Sequence, residues 1–237
     1  MRQRNVSNVQ PSSRMWAKQL VQVLAVVVIM DAILFLLAGR LDWNGAWVFT
    51  CLYLVYLLVM VVWMMQNAPE LLEERSRMTS NVEGFDKIIV TVSAIALIGL
   101  LVIAALDAGR FRWTVMPVAL QVLGLLAIIP CAGWLFWVTK TNPYLSRSAR
   151  IPDDCGQHVV TTGPYRYVRH PMYAAMMPFG PCTALVLGSW LAFVPGVVMA
   201  ILFVIRTAVE DRKLHDELPG YKEYADRVRY RLLPGLW

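Results

Sequence analysis

The chain is poor in charge. Of its 237 residues only 16% are Asp, Glu, Lys or Arg, whereas 58% are hydrophobic and the mean hydropathy is +0.53. Soluble domains average ~25% charged and ~45–50% apolar residues, and their polar surface needs more charges than this chain has. A soluble enzyme, a disordered chain and a disulfide scaffold are therefore disfavoured, which leaves a polytopic membrane protein.

Motifs built on cysteine and glycine are also missing. None of the four cysteines has C-x-x-C spacing, and three of them lie in apolar runs, where cysteine is typically a small buried side chain. Cys155 lies in a polar loop, and we interpret it as a loop thiol without a role rather than a reactive one. The sequence contains no G-x-G, so a Rossmann dinucleotide loop is not predicted.

The net charge of +6 does not indicate nucleic-acid binding. Lys and Arg flank the apolar runs instead of lining one face, which is typical of cytoplasmic membrane loops. The partners expected from this pattern are the bilayer and a lipophilic molecule. The sequence does not indicate an oligomeric state.

The apolar runs predict an all-α transmembrane bundle. A bilayer core of ~30 Å takes ~20 helical residues, and four runs have about that length: Leu20–Ala38, Ala46–Met65, Ile88–Leu106 and Thr114–Val138. A fifth run, Met172–Val204, is too long for one span and is interrupted by proline and glycine. We expect it to fold back near 188–190, so that about six spans result and the last two form a short, kinked hairpin.

The basic residues predict the orientation and the division of the chain. With six spans both termini share one side, and that side holds all 22 Lys and Arg residues except Arg40, Arg110 and Arg112. By the positive-inside rule both termini are cytoplasmic, as expected for a multi-pass protein of a bacterial inner membrane. Residues 1–139 would form helices one to four, and residues 140–237 a catalytic core that ends in an amphipathic tail.

One acidic residue falls inside the first apolar run. A charge there is costly, so Asp31 is either functional or a structural carboxyl held by an internal hydrogen bond. Both interpretations stay open on the sequence.

Two polar segments can carry chemistry. Residues 157–173 read QHVVTTGPYRYVRHPMY, in which Pro171 suits a first helical position and His170 a helix cap. The helix start beside Arg169 could hold an anionic group, although a basic segment that binds lipid headgroups would look the same. Further on, Arg206 and Glu210 are one turn apart, so they either share a pocket or form a surface ion pair.

Three motifs together carry a family resemblance. G-P-Y-R-Y-V-R-H-P-M-Y, R-x-x-x-E-D and a terminal Y-x-x-Y-x-x-x-V-x-Y-R-L-L-P resemble the isoprenylcysteine carboxyl methyltransferase family over roughly 150–237. This family consists of membrane-embedded methyltransferases that use S-adenosylmethionine and is related more distantly to phospholipid N-methyltransferases. The segment P-E-L-L-E-E-R-S-R is similar to bacterial members.

The resemblance implies a set of site residues. Arg206 would face the methyl acceptor, and His170 or Tyr173 would be the candidate base where the acceptor must lose a proton. The positions that match cofactor contacts are Gln157, His158, Val159, Val160, Tyr165, His170, Pro171, Met172, Tyr173 and Glu210. The second acidic residue of the family pattern is Asp211 here. No metal is predicted.

The resemblance therefore implies an integral-membrane methyltransferase whose acceptor is a lipophilic or amphiphilic carboxylate, amine or thiol. The alternative is a non-catalytic transporter or lipid-binding scaffold. Asp31 and the interrupted fifth run motivate that alternative, because buried acids and broken helices also mark transport sites.

Overall fold

The computed structural model describes residues 12–69, 84–142 and 159–237, and within these ranges the chain is helical and contains no strand. Two of the long helices end in a π-helical stretch, at Ala32–Leu36 and Ala105–Phe111, and a short 3-10 helix covers Gly163–Arg166. The α-helices are α1 Ser13–Asp31, α2 Asn44–Asn67, α3 Gly84–Ala104, α4 Val118–Thr141, α5 Pro171–Met176, α6 Phe179–Leu187, α7 Trp190–Glu217 and α8 Tyr221–Arg227.

Five helices in the described ranges are long and apolar enough to cross a bilayer. They cover Ser13–Leu36, Asn44–Asn67, Lys87–Phe111, Val118–Thr141 and Trp190–Glu217, and a shorter apolar pair covers Pro171–Leu187. Their outer faces are apolar: Val28 is 64% exposed, Ile95 64% and Val194 65%. Such faces need lipid around them, so the chain is a multi-pass membrane protein. The count of six spans and the cytoplasmic termini stay predictions.

The last helix differs from the expected short hairpin. The chain turns at Gly188 and Ser189, close to the predicted position, but α7 runs for 28 residues while α6 has only 9. The expectation that both helices are short is therefore wrong for α7. Hydropathy missed its length because the helix continues past the apolar run into the charged residues up to Glu217.

A buried acid fixes this turn. Gly188 adopts the left-handed region at φ +78°, and Ser189 caps α7 by accepting the N–H of Ala192 at 3.1 Å. The Ser189 hydroxyl also donates to Asp107 Oδ2 at 2.6 Å. Asp107 is fully buried and accepts both the N–H and the hydroxyl of Thr114 at 2.7 Å. Thr114 therefore belongs to a connection before α4 rather than to the predicted span Thr114–Val138.

Asp31 has a partner on the neighbouring helix. The hydroxyl of Thr50 on α2 donates to Asp31 Oδ1 at 2.6 Å. This bond ties α1 to α2 and accounts for a polar group at that depth, which supports the structural interpretation of Asp31.

Small residues let the helices approach closely. A Cβ added to Gly180 on α6 would lie 2.7 Å from the carbonyl oxygen of Gly196 on α7. Gly124 on α4 is similarly close to Leu185, and Gly45 on α2 to the backbone of Val186. These contacts pack α6 between α4 and α7 and so set the position of α5 beside the far end of α7.

The Gly180–Gly196 crossing makes a stability prediction. Gly180→Ala should lower the melting temperature in detergent and cost about 1–3 kcal/mol of unfolding free energy, because the new methyl group meets backbone atoms that cannot move aside. Thermal unfolding followed by circular dichroism measures this effect.

Gly133→Ala is the matched control. Gly133 also lies inside a helix, but no heavy atom lies within 4 Å of its added Cβ. Alanine there should be neutral or stabilise by up to about 1 kcal/mol through helix propensity. Equal effects of the two substitutions would contradict the close crossing.

Candidate active site

The R-H-P segment has the local structure that its sequence predicts. Pro171 is the first residue of α5 and His170 is the N-cap residue. Its backbone is paired with the C-terminal segment, since the N–H groups of Arg169 and His170 donate to the carbonyls of Tyr230 and Arg231, both at 2.9 Å. Residues near the chain's end thus lie along the R-H-P segment.

A single buried carboxylate holds these parts together. Asp211 on α7 is 1% exposed. Arg169 donates to it through two nitrogens at 2.9 and 3.1 Å, Arg231 through Nε at 2.8 Å and Tyr221 through its hydroxyl at 2.8 Å. The Nε2 atom of His170 lies 3.1 Å from Asp211 Oδ1. Asp211 therefore joins α7, the R-H-P segment, α8 and the C-terminal segment.

Arg169 is committed to this cluster. Besides its two bonds to Asp211, its Nη1 atom donates to the carbonyls of Ala225 and Val228 at 3.4 and 3.3 Å. The expectation that Arg169 assists an anion at the start of α5 does not agree with this geometry, because its guanidinium already has an anionic partner and two carbonyl partners.

A second constellation lies next to the first. The hydroxyl of Tyr173 donates to Glu210 Oε2 at 2.6 Å, and the Arg206 guanidinium carbon lies 5.4 Å from the centre of the Tyr173 ring. The rings of His170 and Phe203 stack on Tyr173 at centroid distances of 6.1 and 6.0 Å. Arg206 and Glu210 therefore both contact Tyr173 and share a site with α5.

Tyr165 belongs to the same region. Asn142 donates to its hydroxyl at 2.7 Å, and Tyr224 donates to its backbone carbonyl at 2.8 Å. The pKa of Tyr165 is raised to about 12, mainly by burial and further by the charge of Glu210, while the hydrogen bond from Asn142 opposes the rise. Tyr165 therefore stays protonated at neutral pH and is close enough to Glu210 to sense its charge.

Tyr221 is also held in its protonated form. Burial raises its pKa, and the charge of Asp211 together with the hydrogen bond to it raises the pKa further. The hydroxyl of Tyr221 can thus serve as a constant donor to Asp211 across the physiological range.

The remaining predicted cofactor positions are partly covered by the structure. Val159 packs against the cluster of Leu218, Tyr221 and Tyr224, and Val160 is half-buried. Met172 packs beside Tyr173 and Phe203. The Pro171 carbonyl accepts the indole N–H of Trp134 at 3.1 Å. Gln157 and His158 lie outside the described residues, as does Cys155.

The surroundings of His170 bear on its role. Its Nε2 atom is 3.1 Å from Asp211 and 3.3 Å from the Tyr221 hydroxyl, and the residue is 4% exposed. A ring nitrogen held by a carboxylate is fixed in orientation. This geometry favours His170 as a positioning residue for Tyr173 rather than as a base acting through Nε2.

Sequence reasoning missed most of the Asp211 cluster. The sequence places Arg231 among the basic residues of the tail and Tyr221 on the apolar side of an amphipathic helix, and neither pattern indicates a bond to Asp211. Outside this cluster, Asn142 beside Tyr165 and Trp134 beside Pro171 were also not predicted. These side chains are polar and lie at the edges of apolar runs. Many solvent-exposed residues share that property, so it does not identify a site. Proximity of Asp211 to Glu210 in sequence was the single available pointer.

Comparisons with known proteins bear on the family and the fold of the chain. Residues 122–217 of the 237 match the family model for phospholipid methyltransferases. The predicted family resemblance is confirmed. A solved structure of the eukaryotic intramembrane Ras methyltransferase, isoprenylcysteine carboxyl methyltransferase, superposes with a TM-score of 0.50 over 90% of this chain and 75% of that one.

The structural likeness has 15% sequence identity and therefore shows the fold alone. No curated protein matches the chain by sequence. The matched segment 122–217 contains most of α4 and all of α5 to α7, and with them Tyr165, His170, Tyr173, Arg206 and Glu210. Family match and fold together support an integral-membrane methyltransferase.

The Asp211 cluster makes a prediction about the C-terminal segment. In Asp211→Asn the buried carboxylate is neutralised and Arg169 and Arg231 lose their shared counter-charge, so we expect a loss of about 3–5 kcal/mol in stability and release of residues 228–237. Limited trypsin digestion followed by mass spectrometry should show faster cleavage after Arg229 and Arg231.

Asp216→Asn is the control, because Asp216 is exposed on the same helix. It should unfold and be cleaved like the wild type. If Asp211→Asn also behaves like the wild type, the buried carboxylate does not hold the segment.

Proposed function

We propose that the protein is an integral-membrane methyltransferase that uses S-adenosylmethionine and acts on a lipophilic or amphiphilic acceptor. The observation that carries this proposal is the Tyr173–Glu210 hydrogen bond with Arg206 beside it, formed inside the segment that matches the family. This hydrogen bond joins α5 to α7, although Tyr173 and Glu210 are 37 residues apart in the sequence.

The residues present fit the donor that the family implies. S-adenosylmethionine supplies a methyl group bound to a positively charged sulfur and also carries an ammonium group. Glu210 offers a half-buried carboxylate for positive charge, and the nearby Tyr165 and the half-buried Val159 and Val160 offer an aromatic and apolar wall. Gln157, His158, Pro171 and Met172 complete the proposed contact set.

In this proposal different side chains hold the acceptor, exclude water and accept the proton. Arg206 would hold an anionic group of the acceptor by a two-pronged hydrogen bond. The stacked rings of His170, Tyr173 and Phe203 exclude water on one side, and catalysis would depend mainly on alignment of the acceptor. For an amine or thiol acceptor, the Tyr173 hydroxyl, already bonded to Glu210, offers a route for the departing proton.

The charge distribution supports one placement of the site in the membrane. We propose that the site faces the cytoplasm of a bacterial cell at the inner membrane, since the basic residues cluster at this end of the bundle and the donor is a soluble metabolite. Residues 140–237 would form the catalytic core, supported by the helices of residues 1–139. The acceptor would enter from the bilayer.

One of the two observations that favoured a transporter or scaffold now has a structural explanation. Asp31 is accounted for by its hydrogen bond to Thr50. The interrupted apolar run remains, but its glycines serve the close packing of α6 against α7.

Donor binding tests the proposal directly. Purified wild-type protein should bind S-adenosylhomocysteine in calorimetry, and Glu210→Gln should weaken that binding at least tenfold because a charge-assisted contact is lost. Transfer of tritiated methyl groups to a lipid extract of the host should fall with it, and Arg206→Ala should abolish transfer.

Glu217→Gln is the matched control. Glu217 lies on the same helix, is exposed and forms a long ion pair of 3.9 Å with Lys213. It should bind the ligand and transfer methyl groups normally. Absence of binding to the wild-type protein would refute the proposal.

Tyr173→Phe tests the proton route and the alignment separately. The substitution keeps the stacked ring and removes the hydroxyl that bonds Glu210. We expect kcat to fall about 10- to 100-fold, the effect of losing one hydrogen bond to a charged group, with a smaller change in ligand binding. Tyr230→Phe, at an exposed position, should leave both quantities unchanged. Wild-type turnover in Tyr173→Phe would contradict the assigned role.

A further inference from the structure

A cavity outside the Tyr173–Glu210 site opens beside the Asp211 cluster. Its volume is about 360 Å³. It lies against the C-terminal segment and is lined by Arg169, Arg229, Tyr230, Arg231, Leu236 and Trp237. Neither the family match, which ends at residue 217, nor the proposed methyl transfer assigns a role to this cavity.

The cavity is strongly positive. Its lining contains three arginines and no acidic residue. Arg169 and Arg231 share one carboxylate, that of Asp211, so a positive charge is left over from this group. Arg229 is exposed and makes no hydrogen bond or ion pair within the part of the chain that the structure describes. A convergent set of guanidinium groups with surplus charge is suited to a phosphate or another oxyanion.

The rim of the cavity is apolar and exposed. Of the lining residues, Leu236 is 78% exposed and Tyr230 39%. Leu233, which lies outside the lining but in the same segment, is 38% exposed. The Arg231 guanidinium lies 4.9 Å from the centre of the Trp237 ring. Exposed leucines and aromatic rings beside arginines are typical of segments that lie at a membrane interface, with the cations at headgroup level. A free phosphate ion would make no use of these apolar side chains.

We propose that this cavity binds the phosphodiester group of an anionic membrane phospholipid. Arg229 and Arg231 hold the phosphate, and Leu233 and Leu236 contact the upper part of the acyl chains. The bound lipid also clamps the C-terminal segment onto the R-H-P segment, because Arg231 bonds Asp211 and its carbonyl accepts the N–H of His170. This inference does not rest on the proposed methyl transfer.

Ligand-dependent thermal stability in detergent tests the inference. The probes are a short-chain phosphatidylglycerol, a phosphatidylcholine of the same chain length and inorganic phosphate, each added to the full chain. A ligand that binds the folded state raises the melting temperature in proportion to its affinity. We expect phosphatidylglycerol to raise it, and phosphatidylcholine and inorganic phosphate to have little effect.

Two variants locate the site. Arg229→Gln should weaken the apparent affinity for phosphatidylglycerol about fivefold, the effect of removing one arginine from an anionic lipid contact. Arg212→Gln removes an equal charge from an exposed position on α7 outside the cavity and should respond like the wild type. Arg229 has no hydrogen-bond or ion-pair partner among the described residues, so its substitution should not change stability without lipid.

Each other outcome overturns the inference. Equal losses in both variants would indicate unspecific charge attraction, and an unchanged response of Arg229→Gln would place the lipid elsewhere. An equal response to inorganic phosphate would indicate a free anion as the ligand. S-adenosylhomocysteine should still bind Arg229→Gln, so failure of the lipid site and failure of the proposed methyltransferase remain distinguishable.

Discussion

The Asp211 carboxylate is the interaction on which the site end of this protein depends. A charge buried to this degree is tolerable only where donors surround it, and here two arginines, a tyrosine and a histidine do so. These donors come from three separate stretches of chain. If one stretch moved away, its donor would lose the carboxylate, and this energetic cost holds the three stretches in one arrangement. Glu210 precedes Asp211 on the same turn of α7 and is positioned with it.

The sequence allowed the local features to be predicted, because their causes are local. Pro171 starts a helix after His170 since proline suits that position, and the long apolar segment turns at Gly188 since glycine accepts a positive φ. The family motifs also named Tyr173, Arg206 and Glu210, which the structure brings together.

The donors around Asp211 could not be predicted in the same way. Arg169 lies 42 residues before it and Arg231 20 residues after it, and no periodicity relates them. Hydropathy likewise assigned Thr114 to a helix, whereas its hydrogen bonds to Asp107 hold it in the connection before α4. In both cases one long-range polar contact outweighs the local pattern.

Helix α7 is secured at both ends, by Ser189 and Asp107 at its start and by the Asp211 cluster near its end. With 28 residues it is about 42 Å long, more than the ~30 Å of a bilayer core. The helix therefore extends beyond the bilayer core, and its two secured ends hold Arg206 and Glu210 at a fixed height within the bundle. Under the proposed function, an acceptor that enters from the lipid would have to carry its reactive atom at the height of these two side chains, and the length of its chain would then bear on whether it is a substrate.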